Sequence, residues 1–415
     1  MKILVINGDC IQTNTSANLC HLAYLRGLVD AGHEVTLLSA DGEGYQLDPA
    51  MVIPDQIKSY TYRGMSIYER LSLKKRKTSA VLTVGSPQVA ALTDRRVSLR
   101  AKVKQAVLSL YGIHGIYATF VRKAQKFTSN EDFDYILSLS TPVTSHLLTH
   151  NLLRAGHIHG KHWVQIWEDP WYSDAYGFNG KEKIRREEAR LLSFAEKVCY
   201  VSPLTLQNQQ RLYPESAHKM FWQPLPYYYK EDEETVCTCG RRMYGYFGAY
   251  YPESRDLEPF YEAAKEAEVE VNICGNPHRL FAATDHIHIY PRLPLDELKP
   301  IENHTAVLVF LCNRKGGQIP GKLYQYSATA KTILFILDGT AEEQATLRDY
   351  FEPYARYVFC QNTKRDIARA IRQIESGDLG NIQNYPLACF EPATIVQKIL
   401  MEANDGGSNS DFVYV

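Results

Sequence analysis

The glycine-rich segment "GGQIPGKLYQ", residues 316–325, has the residue types and spacing of an anion-binding site. Gly316, Gly321 and Lys322 occupy the three fixed positions of a phosphate-binding P-loop, but Leu323 stands where a Ser or Thr hydroxyl would hold Mg²⁺. The unpaired backbone N–H groups of a helix start, the helix dipole and the Lys322 ammonium together favour an anion. The segment therefore indicates a diphosphate held without a protein-bound metal rather than an ATPase or GTPase site. A plain glycine-rich connection is the alternative.

Two adjacent carboxylates lie between tryptophans in "IWEDPWYSD", residues 166–174. Glu168 or Asp169 could accept a proton from an acceptor hydroxyl. Aromatic faces stack on sugar rings, and large aromatic side chains are costly to leave exposed, so their presence beside two acids favours a sugar site. The alternative is that Asp169 only caps the turn before Pro170.

The residues that most often bind metals are not spaced as ligands in this chain. His146 and His150 lie four residues apart on one helical face, a pattern more typical of two surface or partly buried imidazoles than of a metal pair. Cys237 and Cys239 are close together, but no second pair with zinc spacing lies nearby. The nine cysteines form an odd set without framework spacing, which fits a reducing cytosol. We predict no metal site.

The composition of the 415-residue chain is that of a globular protein with two domains, since 45% of its residues are apolar and 22% are charged. The net charge of −1 gives no general attraction to nucleic acid. The basic window, which runs from Arg63 to Lys126, nevertheless carries 14 Lys or Arg and only two acids, and it includes an apolar stretch at 106–121. It is either a solvated face or an amphipathic patch for anionic lipid or an anionic acceptor. It contains no recognisable nucleic-acid-binding module.

Strand-like and helix-like segments alternate along the chain, which predicts an α/β fold with parallel sheets and helices on both faces. The predicted strands are 2–7, 34–40, 134–140, 162–167, 197–202, 242–250, 269–275, 287–293, 305–312 and 331–338. The predicted helices are 16–35 (with Ser16 as N-cap and Gly32 as its stop), 181–196, 256–267, 295–302, 321–329, 341–350, 364–376 and 391–405. A proline-rich and aromatic segment at 213–237 separates two such sets. The N-terminal apolar run is too short for a signal peptide, and no stretch is long enough to span a membrane.

The segment "QIPGKLYQYSATAKTILFI", residues 318–336, resembles the nucleotide-sugar segment of GT-B glycosyltransferases, in particular those of glycosyltransferase family 4. The motifs "MKILVIN", "LVDAGHEVTLLSA" and "FDYILSLSTP" resemble the family's first strand, the end of its first helix and its fourth-strand region. "FAEKVCYVSPLTLQ", "YGYFGAYYPESRDLEPFYEAA", "VEVNICGNP" and "HIYPRLPLDEL" complete the set in the family's order. The resemblance covers most of the chain except residues 45–130 and the tail after 405.

The resemblance implies a GT-B architecture of two Rossmann-like, doubly wound domains facing a central cleft. Residues 1–225 would form the acceptor-side domain, and residues 226–390 the domain that binds the nucleotide sugar. The final helix, 391–405, would cross back to the first domain, and 406–415 would be a disordered tail.

The resemblance also implies roles for individual residues. The catalytic residues would be Glu168, Asp169, Arg255 and Lys322. The residues that bind the sugar donor would be Thr15, Ser16, Gly248, Arg292, Leu293, Gln318, Ile319, Pro320, Gly321 and Gln325. No metal ligand is implied, because the two basic side chains and a helix start would stabilise the leaving diphosphate.

The chain departs from the family pattern at several of these positions. Gln325 stands where the family usually has a Glu that bonds the donor ribose, and Gly317 where many members have a Glu that contacts the sugar. A Gln can still bond a ribose hydroxyl, so the sugar contact is the part that is lost. Thr15 and Ser16 replace a glycine pair beside the phosphates, where their hydroxyls can still donate hydrogen bonds.

The expected function is transfer of a hexose from a nucleotide-diphosphate sugar to a glycan or lipid-linked saccharide, with retention of configuration, in surface-polysaccharide biosynthesis. The expected location is the cytoplasm, with the basic window on the inner face of the membrane beside a polyprenyl-diphosphate-linked acceptor. No cofactor beyond the nucleotide-sugar co-substrate and no nucleic-acid partner is expected. Two alternatives stay open: an NDP-sugar 2-epimerase on the same fold, and a non-catalytic nucleotide-sugar-binding partner of a glycosyltransferase.

Overall fold

The computed structural model describes residues 1–70, 111–174, 182–228, 242–275, 281–315 and 317–404. Most of the basic window, Gly316, Cys237 and Cys239, and the predicted tail 406–415 lie outside these ranges. The chain divides into two units. The N-terminal unit comprises Met1–Val201, Leu206–Gln223 and Val396–Val415, and the C-terminal unit comprises Ser202–Thr205 and Pro224–Ile395.

A parallel sheet lies at the centre of the N-terminal unit. Its described strands are β1 (Lys2–Asn7), β2 (Glu34–Ala40), β3 (Lys58–Tyr62), β4 (Asp132–Ser140), β5 (His159–Trp167), β6 (Lys197–Tyr200) and β7 (Met220–Trp222). They lie in the order β3-β2-β1-β4-β5-β6-β7. The order reverses between β1 and β4, and the loops that follow two such strands diverge and leave a crevice for ligands.

Helices connect these strands. They are α1 (Ser16–Asp30), α2 (Ala118–Ala124), α3 (Thr144–Arg154), α4 (Glu182–Phe194) and α5 (Pro203–Leu212), with 3₁₀ turns at Gly115–Tyr117 and Pro214–Lys219. The first residues of α5 belong to the C-terminal unit. Thr15, and not Ser16 as predicted, is the N-cap of α1, because its hydroxyl accepts the N–H of Asn18 at 3.1 Å.

A second parallel sheet lies at the centre of the C-terminal unit. Its described strands are β8 (Met243–Phe247), β9 (Glu270–Cys274), β10 (Ile287–Tyr290), β11 (Val307–Leu311), β12 (Thr332–Leu337) and β13 (Tyr357–Gln361). They lie in the order β10-β9-β8-β11-β12-β13. The order reverses between β8 and β11, so this sheet has its own switch point.

The helices that follow these strands are α6 (Glu258–Glu266), α7 (Leu295–Asn303), α8 (Lys322–Ser327), α9 (Ala341–Phe351), α10 (Lys364–Ser376) and α11 (Pro392–Asn404), with 3₁₀ turns at Glu352–Tyr354 and Ala388–Phe390. Thr340 and Glu343 form a capping box that starts α9. Gly377, at φ +76°, ends α10 in the left-handed conformation that glycine tolerates best. The last helix begins in the C-terminal unit and ends in the N-terminal unit.

The α/β prediction with two doubly wound parallel sheets is confirmed. The strands β3, β7 and β13 were not predicted. In β3, the sequence "KSYTY" is almost fully exposed, so it lacks the buried apolar run that reveals a central strand.

The structure describes the apolar stretch 106–121 from residue 111 onward. Phe120 and Val121 lie on α2 and are buried in the core of the N-terminal unit, together with Phe133 and Leu148. These two residues pack inside the unit, whereas residues 111–119 are half-buried or exposed. In the described ranges, no helix combines the length and the apolar character that crossing a membrane requires.

Candidate active site

The loop between β11 and α8 carries the glycine-rich segment and follows the switch point of the C-terminal sheet. Gly317 has a φ of +69°, and a Cβ added there would lie 2.8 Å from Leu204 Cβ. The Ser202 hydroxyl donates a hydrogen bond to the Gly317 carbonyl at 2.6 Å, and the Thr205 hydroxyl does so at 3.4 Å. Gly317 is therefore backbone packed against the start of α5, where a side chain has no room.

Lys322, the basic residue of this segment, is the first residue of α8 and follows the N-cap Gly321. Its Nζ lies 2.7 Å from Oε1 of the buried Glu302 on α7. About a third of the Lys322 side chain, 33%, is exposed, whereas Glu302 is 8% exposed. A bound diphosphate would therefore have to share the Lys322 ammonium with this carboxylate.

Arg255 lies in the loop after β8, the other strand at the switch point. Its Nε donates to Oδ1 of Asn313 at 2.8 Å, and one terminal nitrogen donates to the Ala249 carbonyl at 3.2 Å. A Cβ added to Gly248 would lie 3.8 Å from that guanidinium, so Gly248 and Arg255 are neighbours, as predicted for a phosphate-binding loop. The structure thereby joins the loops after β8 and β11.

A second arginine connects the same two loops. Arg314 donates from its backbone N–H to the Ser254 carbonyl at 2.8 Å and from its guanidinium to the Pro252 carbonyl at 2.9 Å. Its guanidinium also lies 3.5 Å from a carboxylate oxygen of Asp256. Sequence analysis did not select Arg314, because its role depends on contacts across the sheet that spacing along the chain does not show.

The polar side chains predicted to bind the sugar donor have structural partners. Asn313 donates from its side-chain amide to the Gln318 carbonyl at 3.0 Å, which connects Gln318 to the Arg255 contact. Gln325 is buried, and its Oε1 accepts the N–H of Tyr228 at 2.9 Å. The side chain predicted to contact the ribose thus takes part in a contact with the Tyr228 backbone.

The other predicted residues of this unit lie along the same loops. Ile319 is buried, whereas Pro320 and Gly321 are partly exposed at the start of α8. Arg292 is exposed and Leu293 half-buried in the connection from β10 to α7. All of these positions follow the carboxyl ends of strands, the edge at which open α/β sheets bind ligands.

The predicted acids of the N-terminal unit lie at the carboxyl end of β5. Glu168 is 8% exposed, and its Oε1 lies 3.3 Å from Nε2 of the fully buried His21 on α1. Burial raises the pKa of the Glu168 carboxyl, and the His21 imidazole opposes this effect. Asp9, at the end of β1, has its pKa raised to about 6 by burial. Asp169 is half-buried.

Thr15 and Ser16 are exposed at the N-terminal end of α1. The Thr15 hydroxyl accepts the N–H of Asn18, so its oxygen is used in capping. Sequence analysis did not select His21, although a histidine inside the apolar run "LCHLAYL" was a signal that this helix buries a polar group.

The prediction that the tryptophans beside Glu168 and Asp169 stack on a sugar is wrong for Trp167. Its ring is fully buried, lies 4.5 Å from the His146 ring and donates from Nε1 to Gln165 at 2.9 Å. Trp171 is half-buried and stacks on His114 with centroids 5.2 Å apart. The Trp167 side chain packs in the core and has no free face for a sugar.

A buried glutamate holds the segment that follows Glu168. Glu188 on α4 accepts the N–H of Tyr172 at 2.6 Å, the N–H of Trp171 at 3.3 Å and the amide of Gln209 at 3.1 Å. Burial raises its pKa to about 7. Sequence analysis missed this residue, although it lies at i+4 from the buried Ile184, on the apolar face of α4.

The two histidines of α3 pack against different neighbours. His146 is buried, its Nδ1 lies 2.8 Å from the Ser138 hydroxyl, and burial lowers its pKa to about 3. The His150 ring stacks on Phe194 with centroids 3.7 Å apart. Among the residues that the structure describes, no three His, Cys, Asp or Glu side chains are grouped so as to hold a metal ion.

Several solved structures resemble the chain over its full length. Sucrose-phosphate synthase from Thermosynechococcus elongatus matches with a TM-score of 0.55 and 11% identity, covering 97% of this chain and 96% of that one. The fold is GT-B. A glycosyltransferase from Rickettsia africae matches with a TM-score of 0.53 and 10% identity, covering 97% and 98% of the two chains. The apo form of the lipopolysaccharide outer core galactosyltransferase WaaB matches with a TM-score of 0.51 and 12% identity, covering 96% and 100%.

At these identities the likeness shows the GT-B fold alone. No protein-family model matches the chain, and no curated protein is similar to it. The family 4 resemblance and the roles of individual residues therefore stay predictions.

Proposed function

We propose that the GT-B chain is a glycosyltransferase that moves a hexose from a nucleotide-diphosphate sugar to a glycan or lipid-linked saccharide, with retention of configuration. One observation carries the proposal: Arg255 and Lys322 both follow strands at the switch point of the C-terminal sheet. Two cations at that edge suit a diphosphate. The similar structures are those of a sucrose-phosphate synthase, a glycosyltransferase and a galactosyltransferase, which supports the same class of reaction.

In the proposed reaction, the bond from the anomeric carbon to the diphosphate oxygen breaks, and the acceptor oxygen forms its bond to that carbon on the same face, which retains the configuration. Arg255, Lys322 and the backbone N–H groups at the start of α8 stabilise the negative charge that develops on the diphosphate. Glu168 or Asp169 accepts the proton of the acceptor hydroxyl. The protein supplies this stabilisation through its own cations, and no bound metal is part of the proposal.

The proposal is tested by steady-state transfer from a panel of UDP, GDP, ADP and CMP sugars to saccharide acceptors. Lys322→Ala and Arg255→Ala should each lower kcat/KM by about 100-fold, the typical cost of removing one group that stabilises the transition state. The matched control is Lys265→Ala, which removes an exposed lysine from the last turn of α6. Equal activity of the two lysine variants would overturn the assignment of Lys322.

Gly317 favours one rival function, a non-catalytic nucleotide-sugar-binding partner of another glycosyltransferase. A left-handed glycine packed on Leu204 replaces the family's sugar-contacting Glu, so recognition of the sugar at this point is absent. Tight binding of one nucleotide diphosphate without turnover of any of its sugars would support the rival. Turnover above the rate of spontaneous donor hydrolysis excludes it.

The proposed acceptor belongs to surface-polysaccharide biosynthesis at the inner face of the membrane. The support is the basic window, with 14 Lys or Arg and two acids between Arg63 and Lys126. Each basic residue near an anionic bilayer contributes about 1 kcal/mol to binding. Cosedimentation with vesicles of anionic lipid should therefore be strong at low salt and weak at high salt, and equal binding to neutral vesicles would contradict the proposal.

A further inference from the structure

A fully buried imidazole lies behind the carboxylate of Glu168 in the N-terminal unit. His21 Nε2 lies 3.3 Å from Glu168 Oε1, and neither ring nitrogen of His21 makes a hydrogen bond to another described residue. A buried polar group without a partner costs about 1–3 kcal/mol, and an apolar side chain at this position of α1 would avoid that cost. The pairing with Glu168 is the interaction in the structure that offsets it.

We infer that His21 is a positioning residue that favours the ionised form of Glu168 and fixes its orientation. This inference rests on the proposed function, in which Glu168 accepts the proton of the acceptor hydroxyl. His21 takes part in no bond that forms or breaks, since it is fully buried and reaches the reaction only through Glu168. Burial disfavours the ionised carboxylate, and an imidazole at ion-pair distance favours it.

Two further carboxylates lie near the His21–Glu168 pair. Asp9, at the carboxyl end of β1, interacts electrostatically with both His21 and Glu69. Asp169 follows Glu168 directly in the chain. Burial raises the pKa of Glu168, and His21 is the neighbour that opposes this effect.

The remaining titratable neighbours of the pair do not favour the ionised form of Glu168. Cys20, on α1, faces Glu168 and Asp169, and burial raises the pKa of its thiol well above the ordinary value. His146, on α3, faces His21, and burial lowers its pKa to about 3, so its ring is neutral. Among the described groups around Glu168, the His21 imidazole is thus the one that can favour the carboxylate.

The first test is the pH dependence of kcat/KM in wild type and His21→Asn. Loss of the imidazole should move the fall of kcat/KM at acid pH, the acid limb of the profile, to higher pH by about one unit. The reason is that His21 then no longer opposes the rise in the Glu168 pKa that burial causes. His159→Asn, at an exposed position at the start of β5, is the control and should leave the limb in place. An unmoved limb in His21→Asn would overturn the inference, because a merely structural role lowers the amount of folded enzyme without shifting its profile.

The second test does not depend on activity. The infrared difference spectrum between wild type and Glu168→Gln isolates the C=O stretch of the protonated Glu168 carboxyl. The intensity of this band is then measured as a function of pH. In His21→Asn, or in His21→Gln if the Asn variant does not fold, the protonated form should persist to higher pH by about one unit. If the His21 variant shows this shift in the protonation of Glu168 but the protein transfers no sugar, the pairing of His21 with Glu168 is supported and the proposed function is contradicted. If the protonation of Glu168 does not shift, the pairing itself is contradicted.

Discussion

The Ser202 hydroxyl donates a 2.6 Å hydrogen bond to the Gly317 carbonyl, so the start of α5 and the glycine-rich loop form one structure. Both residues belong to the C-terminal unit. The bond fixes the loop that leads into Lys322. The φ of +69° at Gly317 and the close approach of Leu204 favour glycine at this position.

Replacement of Gly317 by Ala should lower the free energy of unfolding by about 2–4 kcal/mol, the sum of a left-handed backbone penalty and an overpacking cost. The added Cβ would lie 2.8 Å from Leu204 Cβ. Gly380→Ala is the control, because Gly380 has a φ of +57° but open space around it. Urea unfolding of both variants gives the comparison, and equal losses would show that the contact with Leu204 has no cost.

Replacement of Glu302 by Gln should tighten binding of a nucleotide diphosphate by up to about tenfold, because Lys322 is then not shared with a buried carboxylate. Isothermal titration measures the change. Glu297→Gln, on the exposed face of the same helix, is the matched control. Weaker binding in Glu302→Gln would mean that the glutamate orients Lys322 toward the diphosphate.

Glu188 should make the stability of the protein depend on pH. Burial raises its pKa from an ordinary value of 4.5 to about 7 in the folded state, so the folded state binds more protons than the unfolded state between these values. The contribution of Glu188 to the free energy of unfolding is fully present below about pH 4.5 and is lost as the pH rises through about 7. In Glu188→Gln this part of the pH dependence should disappear, which thermal unfolding at several pH values measures.

The control for Glu188 is Glu182→Gln on the same helix, at a side chain that is 56% exposed. This variant should keep the wild-type pH dependence. If Glu188→Gln also keeps it, another buried acid, such as Asp9 with a pKa of about 6, carries the effect.

Arg356 should be essential for the stability of the C-terminal unit. Its fully buried guanidinium donates to the carbonyls of Thr329, Lys331 and Tyr385 and to the side-chain oxygen of Asn384. Arg356→Met should cost about 3 kcal/mol or more in unfolding free energy, since buried acceptors lose their donors. Arg372→Met, at an exposed site on α10, should cost less than about 0.5 kcal/mol.

Much of the fold could be predicted from the sequence because many strands and helices have recognisable local sequence patterns. Strands such as β11, "VLVFL", are buried apolar runs, and helices such as α10 have a Thr cap and a Gly stop. The exposed edge strand β3 has no such pattern and was missed. Local spacing therefore reveals central elements better than edges.

The candidate site was less predictable, because its contacts join residues far apart in the chain. Lys322 and Arg255 were selected from the sequence, but their partners Glu302 and Asn313 were not. The Trp167 ring was assigned to a sugar face and lies in the core, since only the packing around it shows which face is buried. These contacts depend on the tertiary structure, so residue spacing along the chain cannot predict them.

The most direct test of the central claim is thermal unfolding with UDP, GDP, ADP, CMP and their sugar conjugates, for wild type, Lys322→Ala and Lys265→Ala. A ligand that binds the folded state at 100 times its Kd adds about 2.7 kcal/mol of stability and raises Tm. The account predicts that one nucleotide diphosphate stabilises wild type and Lys265→Ala, whereas Lys322→Ala loses most of that gain. Absence of stabilisation by every nucleotide, or an equal gain in Lys322→Ala, would contradict a nucleotide-sugar site at this loop.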